Sequence, residues 1–155
     1  MIENKKGVVS CGGWGDTTYC DSYRVKKKNL EVDAVTVNTG RFDKEEIAVI
    51  WQHAYALGLK SFTCIDETDN FYSTVRRYLV FGNILKNNTY PLSVSAERIA
   101  QAMAIGNYAK LINAGYVAPA RTGHGNHQVR FDMVLNLVIP AVQILTPIRD
   151  LNPPP

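Results

Sequence analysis

The stretch Val8-Val9-Ser10-Cys11-Gly12-Gly13-Trp14-Gly15-Asp16-Thr17-Thr18 sets a short apolar run directly before a glycine-rich turn and a helix start. Glycines let backbone N–H groups come close to an anion, and Asp16, Thr17 and Thr18 fall where a helix N-terminus adds a favourable field. The chemistry this arrangement offers is the cradling of a phosphate. Its plain alternative is a tight turn whose glycines satisfy geometry alone. Two known cradles are excluded by spacing: no Gly-Lys-Ser/Thr follows, and Gly12, Gly13 and Gly15 do not fit the G-x-G-x-x-G dinucleotide pattern.

A second polar loop, Ala120-Arg121-Thr122-Gly123-His124-Gly125-Asn126-His127-Gln128-Val129-Arg130-Phe131-Asp132, alternates hydroxyl, amide, imidazole and guanidinium groups before an apolar helix. That density of donors exceeds what a connection needs. Arg130 suits a carboxylate or phosphate, because its planar fork binds either one bidentately. His124 and His127 lack a third ligand nearby, and two imidazoles leave a tetrahedral zinc site incomplete, so no metal is assigned. Cys11 could be a thiol activated by a helix N-terminus, but it reads better as a small residue of the turn. A third segment, Asn88-Thr89-Tyr90-Pro91-Leu92-Ser93-Val94-Ser95-Ala96-Glu97-Arg98, places Tyr90 and three hydroxyl residues ahead of a long helix. There Ser95 reads as the helix N-cap.

These loops need a frame, and strand and helix signals alternate along the chain as they do in α/β folds with a parallel sheet. Strands are expected at Gly7 to Ser10, Val32 to Val37, Ser61 to Ile65, Tyr116 to Ala118 and Val142 to Leu145. A helix from Phe42 to Leu57 has Asp43 as its cap and Glu46 three residues on. Ile47, Ile50, Trp51, Ala54 and Leu57 form its core stripe, and Gly58 ends it in the left-handed conformation. A second long helix runs from Ser95 to about Asn113, with Ile99, Ala102, Met103 and Gly106 on one face, Arg98, Gln101 and Lys110 on the other, and Gly115 closing it. Weaker signals mark helices at Thr17 to Lys28, Asn70 to Phe81 and Gln128 to Val138, the last apolar enough to be covered on several sides.

At 155 residues, with 46% hydrophobic and 10% aromatic content, the chain is long enough for one domain with a packed core. The formal charge of +3 and the short Lys26-Lys27-Lys28 run give no nucleic-acid footprint. No run approaches the roughly 18 apolar residues of a membrane span, and no apolar signal-peptide core follows Met1, so a cytoplasmic location is expected. Three cysteines, Cys11, Cys20 and Cys64, without CxxC spacing, fit reduced thiols there.

Taken in order, the three loops resemble the nucleotide-binding domain of the argininosuccinate synthases, ligases that join citrulline to aspartate using ATP. Cys11 to Thr18 is similar to that family's Ser-Gly-Gly-x-Asp-Thr/Ser pyrophosphate motif, Val37-Asn38-Thr39-Gly40 to its adenine-side strand end, and Tyr90 to Ser95 to its citrulline segment. Thr122 to Phe131 is similar to its Thr-Gly-x-Gly-Asn-Asp-Gln-Val-Arg-Phe signature. The resemblance implies an adenine-nucleotide α-hydrolase-like, Rossmann-like fold: a five-stranded parallel sheet of order 3-2-1-4-5 with helices on both faces. It implies ATP and Mg²⁺ held by Gly12, Gly13, Asp16, Thr17, Thr18, Asn38 and Thr39. Citrulline would be held by Tyr90, Ser95, Asn126 and Arg130, and aspartate by Thr122 with Asn126. In the family's reaction the ureido oxygen of citrulline attacks the α-phosphorus, pyrophosphate leaves, and aspartate then displaces AMP. No covalent enzyme nucleophile is needed, so no catalytic residue is assigned.

The chain departs from the family pattern at the site. Its first loop is one residue longer, Cys11 takes the place of a serine unless Ser10 does and the loop bulges, Ala120 takes that of a glycine, and His127 that of the aspartate that receives the substrate amino group. A second expectation is therefore a non-catalytic scaffold, truncated, decayed or redesigned, that keeps the fold without turnover. The domain expected spans residues 1–152, with Pro153 to Pro155 as a terminal tail. The family's second domain is expected to be absent, and surface it would cover is a source of self-association.

Overall fold

A computed structural model of the chain describes residues 5–12, 30–59, 61–119 and 126–146, with the backbone alone at 86, 90, 91 and 126–128. Its elements are β1 (Lys6–Ser10), β2 (Glu31–Asn38), α1 (Lys44–Ala56), β3 (Ser61–Asp66), α2 (Thr68–Phe71), a π-helical turn (Tyr72–Arg76), α3 (Arg77–Phe81), β4 (Leu85–Lys86), β5 (Tyr90–Pro91), α4 (Ser93–Leu111), β6 (Tyr116–Ala118), α5 (Asn126–Val138) and β7 (Gln143–Ile144). Five strands form one sheet in the order β3-β2-β1-β6-β7. Every pair in it is parallel, with Val9 opposite Ala34 on one side and Ala118 on the other. This is the α/β fold and strand order expected. The helix expected at Thr17 to Lys28 lies outside the described residues.

Alternation along the strands divides the core between the two faces of the sheet. Val8, Val35, Val37 and Val117 point to the side covered by α4 and α5, where Ala102, Ile105, Ala109, Phe131 and Leu135 complete the cluster. Val9, Val32, Ala34 and Ala118 point the other way and meet Ile50 and Ala54 of α1. Between α4 and α5, a Cβ added to Gly106 would stand 3.0 Å from Val138 Cγ1, so glycine is what allows that approach.

Helix α1 starts as its capping box requires. Asp43 accepts from Glu46 N at 2.8 Å and the Glu46 carboxylate accepts from Asp43 N at 3.1 Å. It ends in a Schellman motif, with Gly58 at φ 74 and Leu59 N donating to Ala54 O. The expected core stripe is narrower than drawn. Only Ile50 and Ala54 of this helix are buried. Trp51 is 47% exposed, and its ring meets that of the similarly exposed Tyr55 at a tilt, with centroids 4.8 Å apart.

Other expectations are corrected by local chemistry. Ser95 does not cap α4; Leu92 does, with no side-chain cap bond, and the helix begins at Ser93. Nor does Gly115 close it. Asn113, at φ 54, supplies the left-handed residue, while Gly115 donates to Lys6 O and accepts from Gln143 N, opening the pairing on both sides of β6. On α4, Ala102 and Gly106 are buried as expected, but Met103 and Ile99 are exposed while Ala104, Ile105 and Ala109 are buried, so the buried face is rotated from the expected one. Among the described residues helix α5 is covered on one side, not on several, and Val129, Met133 and Leu137 are exposed. The helix expected from Asn70 to Phe81 begins at Thr68 and passes through the π-helical turn. There Ser73 and Thr74 hydroxyls both donate to Asn70 O, which competes with the regular ladder.

Candidate nucleotide site at the carboxyl edge

The order of strands reverses between β1 and β6, whose carboxyl ends lie side by side. In open parallel sheets, ligands bind in the crevice outside that switch point. All three loops singled out by sequence leave or approach this edge. The glycine-rich turn follows β1, the His-rich loop joins β6 to α5, and the Tyr90 segment leads into the N-terminus of α4.

Cys11 continues β1 by donating its N–H to Val35 O at 2.8 Å, and its own carbonyl accepts from Thr36 Oγ1 at 2.8 Å. Its side chain is 3% exposed and belongs to the core. Cys11 is thus a small buried residue that continues the strand, where a small residue of the turn was expected. Next to it, a Cβ on Gly12 would meet nothing within 4 Å among the described residues. Gly13, Asp16, Thr17, Thr18, Thr122, His124 and Cys20 lie outside the described residues. At Cys64 on β3, partial burial and then the Asp66 carboxylate raise the thiol above its ordinary value, which works against a reactive thiolate.

At the end of β2, Asn38 organises the following turn with its own side chain. Its Oδ1 accepts from Gly40 N, Arg41 N and Phe42 N at 3.0, 3.1 and 3.1 Å, and its Nδ2 donates to Phe42 O at 2.9 Å. The amide is spent on the loop, so any nucleotide contact from this position falls to the backbone it shapes. Thr39 is 5% exposed and donates its hydroxyl to Glu97 Oε1 at 2.7 Å. That bond brings the β2 end and the first turns of α4 together, two segments that lie far apart in sequence.

The structure places Tyr90 in a short hairpin of two-residue strands not expected from sequence, with Lys86 opposite Tyr90. Asn87 and Asn88 turn it with φ values of 56 and 55. Ser95 sits in the first turn of α4, and since it is not the N-cap its hydroxyl has no hydrogen bond to any described residue. Asn126 opens α5, and Arg130 is half-buried one turn further on. Three residues beside the site carried no functional expectation: Glu97, Arg98 and Gln101. The signal available was their i, i+3 and i, i+4 spacing, which puts them on one helix face. A groove of about 480 Å³ lined by Ala109, Asn113, Val138 and Pro140 lies at the opposite, amino edge and is no part of this site. Among the described residues no group of His, Cys, Asp or Glu could hold a metal ion, and no helix is long and apolar enough to cross a membrane.

A family model described as the arginosuccinate synthase N-terminal HUP domain matches residues 6–154. Argininosuccinate synthase from Prochlorococcus marinus subsp. pastoris is 32% identical over 151 residues, 97% of this chain and 37% of that protein. Its counterpart in Pyrococcus furiosus is 31% identical over 145 residues, 94% of this chain and 35% of that protein. The chain therefore spans little more than a third of the relatives it matches. Among solved structures, a predicted subunit of tRNA methyltransferase from Methanocaldococcus jannaschii superposes with a TM-score of 0.60 at 13% identity, covering 92% of this chain and 68% of that one. A glutamine-dependent NAD+ synthetase from Acinetobacter baumannii, solved in complex with ADP, gives 0.59 at 10% identity, covering 92% of this chain and 24% of that one. At those identities, the two structures speak for the fold alone.

Proposed function

The chain belongs to the argininosuccinate synthase N-terminal HUP domain family, and from that membership we propose that it is the ATP-binding part of a ligase that activates citrulline for coupling to aspartate. The observation that carries this reading is the meeting, at the switch-point edge, of the Gly12 backbone, the Asn38–Thr39 turn and the first turns of α4. Among the described residues nothing stands within 4 Å of a Cβ on Gly12 and nothing bonds the Ser95 hydroxyl, which suits a ligand along this edge. In the same reading Gly12, Gly13, Asp16, Thr17 and Thr18 cradle the phosphates with Mg²⁺, and the backbone at Asn38 and Thr39 borders the adenine. Tyr90, Ser95, Asn126 and Arg130 hold citrulline, and Thr122 and Asn126 hold aspartate.

The nucleotide, when bound, supplies the activated phosphorus and a pyrophosphate leaving group. The chain's own work is then to position and to neutralise charge. The start of α4 sets Ser95 where a helix N-terminus favours anions, and Arg130 offers a bidentate fork to a carboxylate or phosphate. Aligning two bound reactants in this way removes much of the entropic barrier without a covalent step.

Calorimetric titration with ATP and Mg²⁺, alone and with citrulline, tests the reading. Saturable one-to-one binding is expected, weakened in Gly12→Asp because a carboxylate then enters the space beside the phosphates. A folded chain that takes no ATP overturns the proposal and leaves the scaffold reading. Release of pyrophosphate that depends on citrulline would establish activation by this chain itself.

A further inference from the structure

The two edges of the sheet are built differently. At one edge β7 is two residues long and lies between Pro140 and Pro147 in sequence, and both short length and flanking proline keep an edge from pairing. β3, at the other edge, has neither protection. Ser61–Asp66 stay in register with β2 without a bulge, and Ser61 to Ile65 include no charge and no proline. Among the described residues β3 pairs with β2 alone.

One bond fixes which backbone groups of β3 face outward. Glu67 N donates to Asn38 O at 2.8 Å, and along a strand successive residues turn their N–H and C=O to opposite sides. Thr63 and Ile65 therefore bond toward β2, while Phe62 and Cys64 present both groups away from the sheet. No hydrogen bond joins those outward groups to any described residue. Such an edge is a template for another strand.

An aromatic pair overhangs the same edge. Ile50 and Ala54 face the sheet, so Trp51 and Tyr55 lie about 100° further round α1. Crossovers between parallel strands are right-handed, and in β2-α1-β3 that hand turns the Trp51 side of the helix toward β3. Both rings are exposed, and they meet each other at a tilt.

We propose that β3 and the Trp51–Tyr55 pair form a self-association surface, through which two copies of this chain join their sheets edge to edge about a two-fold axis. Directly opposed residues of an antiparallel pair share a face, so the axis passes through a residue and its own copy. Centred on Thr63, it opposes Phe62 to Cys64 of the second copy, and their outward groups exchange the bonds of an antiparallel ladder. Asp66 then falls outside the apolar centre, across from position 60, a lysine in the sequence. Centring on Cys64 instead would press the Asp66 carboxylate against Phe62. This order, basic before the strand, apolar within it and acidic at its end, complements itself under a two-fold and selects a second copy over an unrelated strand. Trp and Tyr are enriched in interfaces, and here the pairs of both copies flank the join. The strands run antiparallel across the axis, so the two carboxyl edges point opposite ways.

Sedimentation velocity of the full chain over a concentration series tests this, together with oxidative cross-linking. The parent should form a reversible dimer. Trp51→Lys changes an exposed side chain, should keep the parent's circular dichroism, and should raise the dimer dissociation constant about thirtyfold. With Cys20→Ser and Cys64→Ser as background, Thr63→Cys should give a disulfide-linked dimer on mild oxidation, because opposed residues of a non-hydrogen-bonded pair stand at a disulfide's Cα spacing. Ser61→Cys in that background should not, since it lies two positions from the axis. A parent that stays monomeric, a dimer that Trp51→Lys does not weaken, or a Thr63→Cys chain that cross-links no better than Ser61→Cys overturns the proposal. Growth beyond the dimer also overturns it, because a closed two-fold stops at two copies.

Discussion

Replacing Asn38 by alanine isolates how the turn beside the site is built. The side chain is 8% exposed, accepts three backbone N–H groups and donates to Phe42 O. Gly40 and Arg41 are exposed, so water can take over their N–H groups at little cost. Phe42 is half-buried and loses a partner at both its N–H and its carbonyl. At roughly 1 kcal/mol net for each of those two bonds and less for the others, Asn38→Ala should destabilise the chain by about 2 to 3 kcal/mol. Asn38→Asp keeps the acceptor but sets a carboxylate oxygen against the Phe42 carbonyl, and should lose about half as much. Urea unfolding followed by circular dichroism reads both, with an unchanged slope and a shifted midpoint. A loss below about 1 kcal/mol for Asn38→Ala, or equal losses for the two variants, would refute the account of the loop.

Two further outcomes follow from the same geometry. Gly58→Ala forces a Cβ into the left-handed conformation at φ 74 and should cost about 1 kcal/mol, seen as a lower midpoint in the same urea experiment; an unchanged midpoint would mean that the Schellman motif is dispensable. The exposed Asp66 carboxylate accepts from Thr68, through its hydroxyl first and its N–H second, and is held below its ordinary value of 3.8. A lowered folded-state value gives stability that is present above 3.8 and lost as pH falls through the folded value, so the parent, but not Asp66→Asn, should lose this increment in acid melts below that pH.

Much of the frame is legible without coordinates, because it depends on local rules. β-branched runs bounded by glycine and proline give the five strands, with Tyr116 to Ala118 matching its observed bounds. Asp43, Glu46 and Gly58 announce both ends of α1 because their bonds close within a few residues. Where two local solutions compete, sequence alone does not choose between them. Ser95 is a good N-cap residue, yet the β4–β5 hairpin delivers the chain at Leu92 and starts the helix earlier, leaving the Ser95 hydroxyl for other use. Gly115 looks like a helix stop, but Asn113 reaches the left-handed region first, and the glycine's backbone is claimed by the neighbouring strands.

The site divides along the same line. Residue types and spacing by themselves determined the parallel α/β class, the glycine-bordered strand end and the likeness that led to an ATP-binding domain, since each is written in contiguous residues. Which faces are buried was decided by packing. Trp51 fits a helical stripe but lies outside the contact of α1 with the sheet, and Val129, Met133 and Leu137 keep an apolar spacing on a side that nothing in the described residues covers. Only the tertiary structure joined Thr39 to Glu97, Gln101 and Arg98, because the sheet order and the antiparallel run of α4 bring a strand end and a helix start to one edge. A hydrogen bond across 58 positions leaves no periodic trace in sequence.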